Sequence, residues 1–222
     1  MLLALAALAA LPAIAAPRQE PPRDAHVVAL VHGEVPLRAR PNGGVIAWAG
    51  ARTEFGSPRA LSVVTRRGPW LGVIATELPN GRLAWVNRDN PALALRRTAY
   101  SLHADVSGRW LELHKGGRAL WRITVGVGAS GSETPPGRFA VTDKLSGPSY
   151  SASYGCCILA LSGHQPSLPA GWRGGDRLAI HGTNSTSTIG DAGSAGCLRA
   201  ADADMHVLMQ RVPLGTPVFI RD

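Results

Sequence analysis

The chain has 222 residues, 45% of them hydrophobic, with 26 glycines, 17 prolines, three cysteines and a formal net charge of +8. That length allows two small domains or one large one, and the charge draws the protein to anionic polymers. The cationic residues are scattered, however: only Arg66-Arg67 and Arg96-Arg97 are adjacent and no nucleic-acid motif accompanies them, so nucleic acid is excluded as the expected partner.

In chain order, residues 2–11 (LLALAALAAL) form an apolar run shorter than the roughly 20 residues that a bilayer span needs. Pro12 ends the run and Ala13-Ile14-Ala15 has the small-x-small form of a cleavage site. Residues 1–15 are therefore expected to be a secretory signal peptide, and the protein to be secreted, periplasmic or wall-associated. No basic residue precedes the run, which leaves open an upstream start or an uncleaved anchor. Residues 16–25, with Pro17, Pro21 and Pro22, read as a linker.

Residues 26–91 hold short β-rich runs broken by Gly and Pro, with strands expected at Val27–Val31, Val45–Trp48, Leu61–Thr65, Trp70–Ala75 and Leu83–Val86. Asn80-Gly81 is expected to turn the last two as a hairpin, and strands of this number and length make a small barrel. The runs Arg67-Gly68-Pro69-Trp70-Leu71-Gly72-Val73 and Gly81-Arg82-Leu83-Ala84-Trp85-Val86 resemble a bacterial SH3-like module. Trp70 and Trp85 would then line a groove or fill the core, core packing being the commoner use of a strand tryptophan.

Residues 98–222 also read mainly as strands. Ser107–His114 and Ala119–Val125 form a hairpin around Lys115-Gly116-Gly117-Arg118, and Arg177–Ile180 is a strand that delivers His181 at its end. From Ala201, Met205, Leu208, Met209 and Val212 fall at helical spacing and define one apolar face, Pro213 ends the helix, and Val218–Ile220 closes the chain as a strand. Three cysteines cannot all pair internally. Adjacent cysteines close a strained eight-membered ring, so Cys156 and Cys157 are expected to be buried and reduced, with Cys197 free.

The segment Ile180–Arg199, IHGTNSTSTIGDAGSAGCLR, places a histidine and a cysteine sixteen positions apart, each beside a glycine. A thiol attacks an acyl carbon as its thiolate, and an imidazole that accepts the thiol proton supplies it. Cys197 is the candidate nucleophile and His181 the candidate base, which later returns a proton to the leaving amine. Gly196 removes a side chain where substrate approaches, and its N–H with that of Cys197 could face the developing oxyanion. Gly182 could bring a backbone carbonyl to the imidazole and hold its tautomer. Taken singly, each of the pair is more often a buried core residue.

The two elements Ile180-His181-Gly182-Thr183 and Ser194-Ala195-Gly196-Cys197-Leu198-Arg199 resemble the signature of the L,D-transpeptidase (YkuD-type) catalytic domain, over roughly residues 98–222. Val125-Gly126-Val127-Gly128 and Thr134-Pro135-Pro136-Gly137-Arg138-Phe139 look like the family's strand and turn leading to the substrate cleft. The resemblance implies a mainly β chain, an SH3-like barrel followed by a YkuD-type β-sandwich with one short helix. It implies peptidoglycan cross-linking through a Cys thioester, with release of D-alanine, a 3→3 cross-link and no cofactor or ATP. Ala195 departs from the pattern, standing where some members carry a second histidine.

Substrate-binding roles follow with less support. Arg199 could hold a stem-peptide carboxylate or be a surface arginine. Ser194 could brace the nucleophile loop or polarise a carbonyl, bracing being the commoner use, and Thr183 could do similar work beside His181; Tyr150 and Tyr154 fall where the family often has aromatic cleft residues, with simple packing as the alternative. Zinc is not expected: Cys156, Cys157, Cys197, His164 and His181 show no CxxC or HxxxH spacing, and a metal would consume the thiolate. Gly126-Val127-Gly128 lacks the third glycine of a dinucleotide loop. The expected partners are peptidoglycan stem peptides and anionic wall polymers, and the protein is expected to act as a monomer. Three readings compete. Papain-type hydrolases place Cys before His along the chain, whereas His181 comes first here; an L,D-carboxypeptidase would use water as acceptor; a wall-binding protein would use only the first module.

Overall fold

The computed structural model describes residues 25–222, so the expected signal peptide at 1–15 and all but the last residue of the 16–25 linker lie outside the described residues. The strands are β1 (His26–Val31), β2 (Val35–Arg38), β3 (Val45–Ala49), β4 (Ala60–Arg67), β5 (Trp70–Val73), β6 (Ala84–Asn87), β7 (Leu93–Thr98), β8 (Tyr100–Asp105), β9 (Trp110–Lys115), β10 (Arg118–Thr124), β11 (Val127–Gly128), β12 (Gly137–Ser146), β13 (Cys157–His164), β14 (Arg177–His181), β15 (Ala192–Ser194), β16 (Leu198–Arg199) and β17 (Pro217–Arg221). One α-helix, α1 (Asp202–Arg211), stands among the described residues. The fold is mainly β, as the sequence suggested.

The first sheet runs β3-β2-β6-β5-β4-β1-β7 and the second β10-β9-β8-β17-β12-β13-β14-β16, with β11 and β15 forming a small parallel pair. The first sheet has seven strands where the sequence suggested five. β2 was hidden by Pro36, which is tolerated because β2 meets β6 at only one residue pair, Arg38 with Trp85. β7, which follows the expected boundary at residue 91, pairs along all of β1. β5 and β6 are antiparallel neighbours as expected, with Val73 opposite Ala84, but residues 74–83 intervene, so Asn80-Gly81 is no two-residue turn. In contrast Gly116 and Gly117, both at positive φ, turn β9 into β10 directly.

Each sheet has its own core. Leu37, Leu71, Val73, Ala84 and Val86 are buried in the first. Trp85 is only 7% exposed, in keeping with packing, whereas Trp48 on the edge strand β3 is 58% exposed. The second core gathers Leu102, Leu113, Phe139, Leu159, Ile180, Leu198 and Met205. β13 is central in the second sheet, buried on both faces for seven of its eight residues, which explains a near-continuous apolar run where an alternating pattern would mark a half-exposed strand. Met205 and Leu208 of α1 are the helix residues buried over it.

The sheets are fastened by side chains. Asn80 donates to the His164 carbonyl at 2.6 Å and accepts from its N–H at 2.9 Å. The His164 ring also meets the Thr76 carbonyl at 2.8 Å. Thr53 bonds the buried Asp143, and Glu54 pairs with Arg177. The loop between β3 and β4 is thus held against the second sheet, beside the strand that carries His181.

Candidate active site

β14 and β16 are parallel neighbours, with Ile180 beside Leu198 and His181 beside Arg199. One residue back, Cys197 comes alongside Ala179. Side chains alternate faces along a strand, so Ala179, His181, Cys197 and Arg199 share one face and the thiol lies diagonal to the imidazole. Both line one cavity of about 260 Å³ together with Arg199, Ser194, Thr183 and Tyr154.

The imidazole is oriented from behind. His181 Nδ1 lies 2.6 Å from the Gly182 carbonyl oxygen, and since a carbonyl only accepts, Nδ1 carries the proton and Nε2 is left as the base. The Tyr154 ring meets the imidazole edge-on at 4.8 Å. Burial pushes the His181 pKa down to about 4, the Gly182 carbonyl opposes that shift, and the Arg199 cation adds to it. Burial likewise pushes the Cys197 thiol up, against the Ala179 backbone bond and Arg199, which favour the thiolate. The Cys197 Sγ rests 4.0 Å from the Arg177 carbonyl. Burial thus favours the uncharged form of both the thiol and the imidazole.

Two residues that the sequence reading missed anchor the loops. Asp202, at the first turn of α1, accepts N–H bonds from Cys156 at 3.0 Å and Thr183 at 3.2 Å. A Cβ on Gly182 would fall 2.1 Å from its Oδ1. Gln165 is buried and its Nε2 donates to the carbonyls of Ser132, Glu133 and Ala195 at 3.0–3.3 Å. Gly196 has φ +111°, and a Cβ there would fall 2.0 Å from that Nε2. An acidic residue opening a helix is a weak signal for Asp202, and none pointed to Gln165.

Other expectations are refined. Ser194 Oγ donates to the Cys197 carbonyl at 2.6 Å and accepts from the Gly196 N–H at 3.0 Å, a brace across the nucleophile loop. Gly196 N–H is thereby committed, which corrects its reading as a free oxyanion donor. Thr183 Oγ1 accepts from the Ser185 N–H at 3.1 Å, again as a brace. Arg199 lines the cavity with no carboxylate partner among the described residues. Tyr150 is half exposed and meets Phe55 edge-on at 6.1 Å.

Cys156 and Cys157 are joined as a disulfide, which corrects the expectation that they are reduced; Cys197 is free. The ligand-type atoms of Cys156, Cys157 and His206 lie within 4.8 Å of one another, and the two sulfurs are occupied by their mutual bond. His164, 28% exposed at its side chain, instead faces Asp176 at 3.0 Å.

The chain is 31% identical over 121 residues to YkuD of Bacillus licheniformis, a protein assigned to the L,D-transpeptidases, the match covering 54% of this chain and 65% of the relative. It is 33% identical over 108 residues to YqjB of Bacillus subtilis, similarly assigned, covering 45% and 58%. Among solved structures, Bd1075 of Bdellovibrio bacteriovorus matches at 24% identity with a TM-score of 0.45, covering 56% of this chain and 48% of that one. The matched region thus spans 65% of the length of the first of these curated relatives and 58% of the second. The model of the L,D-transpeptidase catalytic domain (YkuD) matches residues 99–220, which take in His181, Cys197 and the second sheet up to the last residue of β17, and the chain belongs to that family.

Proposed function

We propose that the protein is an exported, cysteine-dependent L,D-transpeptidase that acts on peptidoglycan stem peptides. The observation that supports this most is the oriented imidazole: with Nδ1–H held by the Gly182 carbonyl, Nε2 is the base in the same cavity as Cys197. Nε2 takes the Sγ proton as sulfur attacks the carbonyl carbon before the terminal D-alanine of a tetrapeptide stem. The tetrahedral intermediate collapses, D-alanine leaves with the proton returned by His181, and a thioester remains. An amine of a neighbouring stem then takes the acyl group, giving a 3→3 cross-link, and its proton passes through Nε2 to restore the thiol. The bond energy of the cleaved peptide is kept in the thioester, so no ATP enters. Arg199, with no carboxylate partner among the described residues, is suited to a stem carboxylate. The net charge of +8 favours retention on an anionic wall.

Mass spectrometry of a disaccharide-tetrapeptide incubated with residues 16–222 tests this, beside a Cys197→Ala control. A cross-linked dimer seen only with Cys197 present is the expected result. Tripeptide alone would assign an L,D-carboxypeptidase, and an unchanged substrate would leave a wall-binding protein.

A further inference from the structure

Arginines that lie scattered along the chain are gathered by the first sheet. Residues 26–98 hold ten arginines and no lysine against four acidic residues, so they carry +6 of the net +8. Four of these arginines, Arg66, Arg88, Arg96 and Arg97, line one cavity of about 430 Å³. β7 lies at the edge of the sheet, with Arg96 opposite Val28 and Arg97 opposite Val27. Neighbouring side chains leave a strand on opposite faces, so this pair reaches the cavity from two sides. Arg66 comes from the end of β4, its Nε donating to the Gly68 carbonyl at 2.7 Å. Arg88 comes from the link between β6 and β7, where its backbone N–H donates to the Pro69 carbonyl at 2.9 Å. Among the described residues the one carboxylate that meets any of the four is Asp89, 3.7 Å from Arg88. Glu54 and Glu77 pair instead with Arg177 and Arg59. The rest of the lining is aliphatic, with Val63, Leu71 and Leu95 in it.

We propose that this cavity is a binding site for a phosphodiester polymer of the cell envelope, by which the first sheet holds the enzyme at the wall while the second does the chemistry. The inference rests on the reading above only for the export that brings the protein to such a polymer. Four cations around one space repel one another, and a polyanion seated among them relieves that repulsion. Guanidinium forks suit carboxylate and phosphate alike. Forks that converge from both faces of an edge strand and from two further segments match the tetrahedral oxygens of a phosphate better than the single plane of a carboxylate. Val63, Leu71 and Leu95 offer contact to the carbon chain between successive phosphates. The lining holds no aromatic ring and so gives a base nothing to stack on, which argues against a nucleic acid. The same charge spread over the surface would attract every polyanion equally, whereas a gathered set makes a site that a few substitutions remove.

The test is the binding of labelled poly(glycerol phosphate) to the protein, followed by fluorescence anisotropy over a range of salt concentrations. Polyglutamate and a single-stranded oligonucleotide of equal charge, and phosphatidylglycerol vesicles, serve as competitors. Arg96→Gln with Arg97→Gln is expected to weaken binding by about tenfold or more and to flatten the fall of log affinity with log salt, and Arg66→Gln with Arg88→Gln to do the same. Arg118→Gln with Arg211→Gln removes as much charge from exposed positions on β10 and α1, and is expected to stay within about twofold of the parent. Melting temperatures of all three variants are expected to match the parent's. An equal loss in the Arg118 and Arg211 variant, a competitor that binds as tightly as the poly(glycerol phosphate), or no binding by the parent overturns the inference. None of these readouts needs turnover, so their failure leaves the transpeptidase reading standing, and a protein that binds without turning over stem peptide fails that reading alone.

Discussion

The loop that carries His181 and the loop that carries Cys197 are built on the same plan with opposite polarity. Behind the histidine, the carboxylate of Asp202 collects two backbone N–H groups, from Cys156 and Thr183. Behind the cysteine, the amide of Gln165 donates to three backbone carbonyls. A buried loop exposes either donors or acceptors that no ladder satisfies, and one side chain of the complementary kind settles several at once. In each loop the glycine of the motif leaves the space that its anchor fills: a Cβ at 182 would meet Asp202 at 2.1 Å, and one at 196 would meet Gln165 at 2.0 Å. The loops differ in one respect. Gly196 also needs a left-handed φ, whereas Gly182 needs only room.

Breaking the cysteine loop is expected to cost most. Gly196→Ala combines a clash with Gln165 and a strained backbone, and acyl-enzyme formation is expected to fall by about a hundredfold or more, read by single-turnover mass spectrometry. Gln165→Ala in the same chain relieves the clash but not the φ strain, so rescue is partial. Gly182→Ala is expected to cost less, about tenfold, because the clash alone displaces the carbonyl that orients His181. With Asp202→Ala added, the further cost of Gly182→Ala is expected to shrink, so the two changes are not additive. Full additivity at 182 and 202, or equal rescue at both loops, would sink the parallel.

The sequence carried the reactive pair but not its anchors. His181, Gly182, Gly196 and Cys197 lie within twenty residues and keep fixed spacings, so local pattern sufficed. Asp202 and Gln165 reach their loops from 46 and 33 positions away at the extreme, and a single Asp or Gln has no periodicity to betray it. The Phe55–Tyr150 contact was invisible for the same reason, since it joins two isolated aromatics, one in the loop between β3 and β4 and one in the segment between β12 and β13. Asn80-Gly81 misled because its local turn chemistry was read without the tertiary use of Asn80, which clasps His164. Ring strain argued against bonding Cys156 to Cys157, yet the two sulfurs are joined. The alternating strands and the amphipathic helix were legible, since burial on one face leaves its period in the chain.

If burial holds the His181 pKa at about 4, the base is neutral and competent down to that pH. The acid limb of acylation is therefore expected near pH 4, and Asp202→Ala, by admitting water around the Gly182 loop, to move it upward toward the ordinary histidine value. A parent limb near 6.5 would show that His181 is solvated or is not the base.

The smallest effect concerns stability and reaches a histidine outside the site. His103 also has its pKa lowered to about 4, by burial first and then by the His114 charge, with Glu112 opposing; its ring lies 4.1 Å from that of His114 and 4.9 Å from Phe219. For both His181 and His103 the folded value lies below the unfolded value of 6.5, so between those limits the unfolded chain binds more protons. Their contribution to stability is complete above pH 6.5, is lost as pH falls towards 4, and changes no further below it. The melting temperature is expected to drop across that window, and to drop less in His103→Gln, where one of the two groups no longer titrates. An unchanged drop in the variant would place the proton uptake elsewhere and leave the buried His181 as the dominant source.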